Sequence, residues 1–91
     1  MKDKIYKEPN KIEEETNINV LYKENIFSIY TNKVSLQKQL NKLLGEPTKE
    51  FKIKKSIAGS KWDIPLSDQV KISRMILKAR IFEKQENEER S

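Results

Sequence analysis

At 91 residues the chain is long enough for one small domain and too short for a second hydrophobic core. Charged residues (36%) outnumber apolar ones (35%), so a small core and loosely held ends are expected. With no Cys and no His, disulfide frameworks, thiol chemistry, the usual zinc sites and His-dependent triads are excluded, and a formal charge of +5 points to an acidic partner, nucleic acid foremost.

The charge is unevenly placed. Residues 1–31 and 81–91 are mildly acidic, whereas residues 32–80 hold ten Lys and two Arg against Glu46, Glu50, Asp63 and Asp68, a local excess of +8. The N-terminus Met1-Lys2-Asp3-Lys4-Ile5-Tyr6 lacks a signal-peptide pattern. No window approaches the roughly 18 apolar residues of a spanning helix. A cytoplasmic protein with no membrane partner is the expectation.

In chain order, residues 1–16 contain Pro9 and the run Glu13-Glu14-Glu15 and read as a flexible tail. Residues 17–82 form the single basic domain, and residues 83–91 a charged C-terminal tail. Ile18, Val20 and Tyr22 share one parity, Glu24-Asn25 makes a turn, and Ile26 to Tyr30 resumes, the pattern of a β-hairpin or a bent strand. From Val34 the period becomes helical, with Leu36, Leu40, Leu43 and Leu44 on one stripe, until Gly45 and Pro47 stop it. Lys38, Asn41 and Lys42 lie on the other side of that helix.

A second hairpin follows. Phe51 and Ile53 alternate with Lys52 and Lys54, Ala58-Gly59 supplies a turn, and Trp62 and Ile64 alternate with Lys61 and Asp63 up to Pro65. A two-residue loop there sets Ile53 against Ile64, Lys54 against Asp63 and Lys55 against Trp62. A longer loop with Gly59 in a left-handed bulge is the alternative. The expected core face is Phe51, Ile53, Trp62, Ile64 and Leu66, and the outer face Lys52, Lys54 and Lys61. Ser67 and Asp68 open a last helix with Ile72, Met75, Ile76, Ala79 and Phe82 on a broad face, a second apolar strip of Val70, Leu77 and Ile81, and a basic stripe of Lys71, Arg74 and Lys78. The second strip is a candidate interface for a homodimer. The expected fold is α+β, a small antiparallel sheet with two helices in ββαββα order.

The basic hairpin is the main functional candidate, because a two-stranded ribbon fits a DNA groove and exposed Lys side chains neutralise phosphates. Lys52, Lys54, Lys55 and Lys61 would make those contacts, with Ser56, Ala58, Gly59 and Ser60 as small tip residues allowing close approach, and Lys38 and Lys42 as further basic positions. The plainer alternative is that these Lys residues only keep an edge strand soluble. Trp62 could stack on a base, but its parity with Ile64 favours the core. Asp63 and Asp68 make no acid/base pair, only two Gly are present, and no cofactor or metal is expected, so the chain reads as a non-enzyme.

The stretch Ile57-Ala58-Gly59-Ser60-Lys61-Trp62-Asp63-Ile64-Pro65-Leu66-Ser67-Asp68 resembles the wing and following helix of winged-helix DNA-binding proteins, where a Gly turn precedes an aromatic, an Ile-Pro strand end and a Ser/Asp helix start. The resemblance implies that Lys54, Lys55, Ser60 and Lys61 contact duplex DNA. It also implies that the nearest relatives are small regulators or conjugation accessory proteins of plasmids and phages. The chain departs from that pattern between its hairpins, where one helix is evident and a winged helix needs two; with one, recognition falls to the ribbon. The rival readings are a protein-binding inhibitor or adaptor, such as a phage anti-defence protein, acting through the second strip of the last helix, and an RNA-binding protein.

Overall fold

The alternation of Ile18 with Asn17 and Asn19, and of Phe27 and Ile29 with Ser28, makes each of these segments a strand with one apolar face. The computed structural model describes residues 4–79. Within them β1 (Thr16–Leu21), β2 (Ile26–Thr31), α1 (Val34–Leu44), β3 (Lys49–Ile53), β4 (Ser56–Pro65) and α2 (Gln69–Lys78) follow one another. The strands form one antiparallel sheet in the order β1-β2-β4-β3. The architecture is α+β, with both helices contributing to one core against the sheet.

That core is Phe27 and Ile29 of β2, Trp62 and Ile64 of β4, Leu36, Leu40 and Leu44 of α1, and Met75 and Ala79 at α2. Of the leucine stripe, Leu36, Leu40 and Leu44 are buried and Leu43 is half-buried against the core. Gly45, at φ 89°, ends α1 in a conformation that a Cβ would disfavour. Trp62 is buried, and its Nε1 donates to the Gly45 carbonyl at 2.9 Å, tying the middle of β4 to the end of α1. Asp68, not Ser67, caps α2 by accepting from the Lys71 amide. Ile76, assigned by spacing to the buried face of α2, is exposed, whereas Ile72, Met75 and Ala79 pack inward; Phe82 lies outside the described residues.

The second hairpin turns earlier than turn chemistry predicts. Ile53 pairs with Ser56, so Lys54 and Lys55 form the loop, and Ala58-Gly59 lie within β4 beside an irregularity in the ladder. The expected pairings of Ile53 with Ile64, Lys54 with Asp63 and Lys55 with Trp62 do not form; Ile64 and Asp63 face Phe27 and Ser28 of β2 instead. The new register also changes faces. Phe51 lies opposite Gly59 and Lys49 opposite Lys61, so β3 places its odd-numbered residues with Lys61, away from Trp62. Phe51 (37% exposed) and Ile53 (51% exposed) therefore leave the core to which alternation assigns them. Within the strand, position 59 requires glycine: a Cβ there would lie 2.5 Å from Tyr30 Oη, because the Tyr30 ring crosses over it and meets Phe51 edge-on at 5.5 Å between centroids.

The first sixteen residues, expected as a tail, are fastened at two points within the described part. Ile5 and Lys7 exchange backbone hydrogen bonds with Ile57, forming a parallel bridge at Tyr6 on the side of β4 that β2 leaves open. Further on, the Asn32 side chain donates to the Glu13 carbonyl and accepts from the Glu15 amide.

The Trp62 link is directly testable. Trp62→Phe keeps an aromatic ring but removes the donor to Gly45 and leaves that carbonyl poorly satisfied. A loss of about 1–3 kcal/mol is expected, read by circular dichroism as a lower urea midpoint with an unchanged slope.

Candidate nucleic-acid interface

The hairpin owes its electrostatics to which carboxylates are already engaged. In residues 32–80 the four acids all have partners: Glu46 and Glu50 each hold Lys4 Nζ at 2.7 Å, Asp63 lies 3.7 Å from Lys61, and Asp68 caps α2. Burial opposes the Lys4 charge, but hydrogen bonds to Glu46 and Glu50, and their charges, outweigh it and raise its pKa above the usual lysine value. Burial, then the charge of Glu15, raises the Tyr30 phenol as well. Among the described residues no ion pair involves Lys52, Lys54 or Lys55, and all three are exposed at the loop end of the ribbon.

Lys54 adopts φ 60°. The first position of a tight hairpin loop commonly requires positive φ and is then filled by Gly, because an L side chain there costs about 1–2 kcal/mol. The other positive-φ non-glycine residue, Asn25, sits in the β1–β2 turn and is a type that tolerates it. Lys54 thus places a long cationic side chain where backbone preference favours Gly.

The remaining predicted positions separate into groups. Ser56 flanks the loop and is half-buried. Gly59 and Ser60 are not tip residues: both are buried, and Ser60 Oγ donates to Gln37 Oε1 of α1 at 2.6 Å. Lys61 lies on the open face of the sheet, near Asp63. On α1, Lys42 is exposed and Lys38 lies on the polar side with its Nζ 5.7 Å from the Tyr6 ring, whose hydroxyl accepts from Asn41. Through Tyr6, the N-terminal segment connects this part of α1 to Ile57 of the ribbon. The stripe Lys71, Arg74 and Lys78 is exposed on α2, which starts beyond Pro65, the end of β4 away from the loop, so it does not join the ribbon tip. Val70 and Leu77 of the second strip are 65% and 80% exposed, and Ile81 lies outside the described residues.

Two further cations that the sequence analysis does not single out adjoin this surface. Lys7 reaches the ribbon because its amide bonds to the Ile57 carbonyl, and Lys49 sits on the open face with Nζ 5.0 Å from the Phe51 ring. The only signal for Lys7 is the Ile5-Tyr6 pair in an otherwise polar start; Lys49 is readable as the first residue of the Phe51–Ile53 alternation. Among the described residues no group of three potential metal ligands is positioned to hold an ion. No helix among them is long and apolar enough to cross a membrane. No protein-family model, curated protein or solved structure matches the chain.

Replacing Lys54 by Gly separates backbone preference from charge. Lys54→Gly is expected to stabilise the fold by about 1 kcal/mol in urea denaturation, through relief of the positive-φ penalty, while removing one ammonium from the tip. An unchanged or lower stability would show that the loop carries no such penalty.

Proposed function

We propose that this chain binds duplex DNA through the β3–β4 ribbon, as a small regulator or accessory protein of a plasmid or phage. The observation that carries the reading is the tip itself: Lys52, Lys54 and Lys55 are exposed and free of ion pairs among the described residues, with Lys54 held at positive φ. A ribbon with this charge lies against phosphates and tracks a groove, much as a wing does. Between β2 and β3 the chain forms one helix, α1, which supports the ribbon, not a two-helix unit, as the contacting element. Lysine contacts of this kind give affinity with modest sequence choice, since the flexible ammonium lacks the rigid fork of Arg and the paired donor and acceptor of Asn or Gln, none of which lies in residues 49–68.

A second reading has its own observation. The exposed Val70 and Leu77 on α2 suit a protein partner, as an inhibitor or adaptor would use. Polar substitutions at these two positions leave DNA affinity intact under the first reading and abolish partner capture under the second.

The first reading is tested by fluorescence anisotropy on a short random-sequence duplex across a salt series. Alanine at Lys52, Lys54 or Lys55 is expected to weaken binding and to flatten the log–log salt slope by about 0.9 for each phosphate that is no longer neutralised. Alanine at Lys61, already near Asp63, should change it less. A triple tip variant with wild-type affinity and slope would refute the ribbon assignment, and preference for an RNA duplex in competition would redirect the reading to RNA.

A further inference from the structure

We infer that β1 is a homodimer edge, pairing with β1 of a second copy to join two four-stranded sheets into one. The two outer strands of the sheet are built differently. β3 carries Lys49, Glu50 and Lys52 and an irregular ladder, the devices that keep a sheet edge from recruiting another strand. β1 reads Thr-Asn-Ile-Asn-Val-Leu, with no charge, no Pro and no register shift along its six residues. Its edge is exposed, and it also shows Val20 and Leu21 to solvent.

The backbone defines which groups are free. The Glu15 carbonyl accepts from the Asn32 amide, so residue 15 faces β2. Alternation along an antiparallel ladder then turns Asn17, Asn19 and Leu21 toward β2, and Thr16, Ile18 and Val20 outward, where their backbone groups have no further partner among the described residues. A second copy satisfies all three about a two-fold axis at Ile18. Ile18 then exchanges hydrogen bonds with its own counterpart, and Thr16 with Val20 of the other copy.

That register is self-complementary on both faces. On the helix side Ile18 meets Ile18, extending the apolar layer to which it already contributes. On the open side Asn17 lies opposite Asn19 in the closer, non-hydrogen-bonded type of pair, where two amides can bond to each other. These features favour a second copy over an unrelated strand, because the segment is complementary to itself without any change in the sheet. The inference is independent of the nucleic-acid reading.

Light scattering after size exclusion, with no nucleic acid present and at tens to hundreds of micromolar, tests it. The wild-type chain is expected at twice its 10.8 kDa mass. Asn17→Lys with Asn19→Lys, both at exposed positions, sets like charges opposite each other across the axis and should return the single-chain mass with the unfolding midpoint retained. Asn17→Lys with Asn19→Glu sets each introduced ammonium against an introduced carboxylate of the other copy and should restore the double mass. A wild-type chain of single mass, or a double-Lys variant that stays dimeric, would overturn the edge. Loss of the dimer in both variants would overturn the Ile18-centred register.

Discussion

The position of one indole ring determines how the rest of the sheet is used. Trp62 fills the middle of the core and donates to the Gly45 carbonyl, so β4 cannot rotate or slide without losing both the packing and the hydrogen bond. With Trp62 inward, alternation sends Ser60 and Ile64 inward as well, and Lys61 and Asp63 to the open face. Ser60 meets Gln37 beneath α1, and β2 registers its Ile29 against Trp62 and Phe27 against Ile64. The ribbon is therefore the loop-proximal half of a strand whose other half is locked in the core. Its direction is set by packing far from its tip.

The parts of the fold legible in the sequence are those where a local rule and the long-range packing agree. The leucine stripe of α1, its stop at Gly45, the inward set Trp62 and Ile64, and the end of β4 at Pro65 all follow from period and turn chemistry. The hairpin loop does not, because local rules assign Ala58-Gly59 to the turn and disfavour Lys at positive φ. Gly59 serves Tyr30 instead, a residue from another strand whose ring occupies the space where a side chain at Gly59 would be. Glycine suggests conformational freedom there, but its use is clearance. Alternation likewise shows that Phe51 and Ile53 share a face but does not say which, and the one-residue change of parity sends them outward. The bridge at Ile57 leaves no trace in composition because it is made by backbone groups, which every sequence carries.

The candidate site shows the same division. That positive charge belongs to the middle of the chain is readable from counts alone; which ammonium groups remain available is not. It depends on Lys4 crossing from the N-terminus to hold Glu46 and Glu50, on Lys61 lying near Asp63, and on Asp68 being used at a helix end. The pairings of Glu46, Glu50 and Asp63 offset carboxylate charge near the ribbon, and among the described residues no ion pair involves the loop lysines. Surface pairs of this kind contribute little to stability, so their larger effect is on where the net charge is felt.

The two outer strands divide the surface between different kinds of association. Charge and an irregular ladder along β3 repel another strand and favour a polyanion, whereas the uncharged, regular β1 offers hydrogen-bonding groups that only another strand can satisfy in a continuous row. Three inter-strand spacings, about 14 Å, separate these edges, so joining through β1 leaves the ribbon uncovered. In a dimer formed this way each copy would keep its own basic tip, and a polyanion long enough to reach both would gain avidity without any new interaction within either chain. The same sheet that fixes the ribbon's direction within one copy would then also fix the relative placement of the two ribbons, because a continuous ladder transmits position across every strand between them.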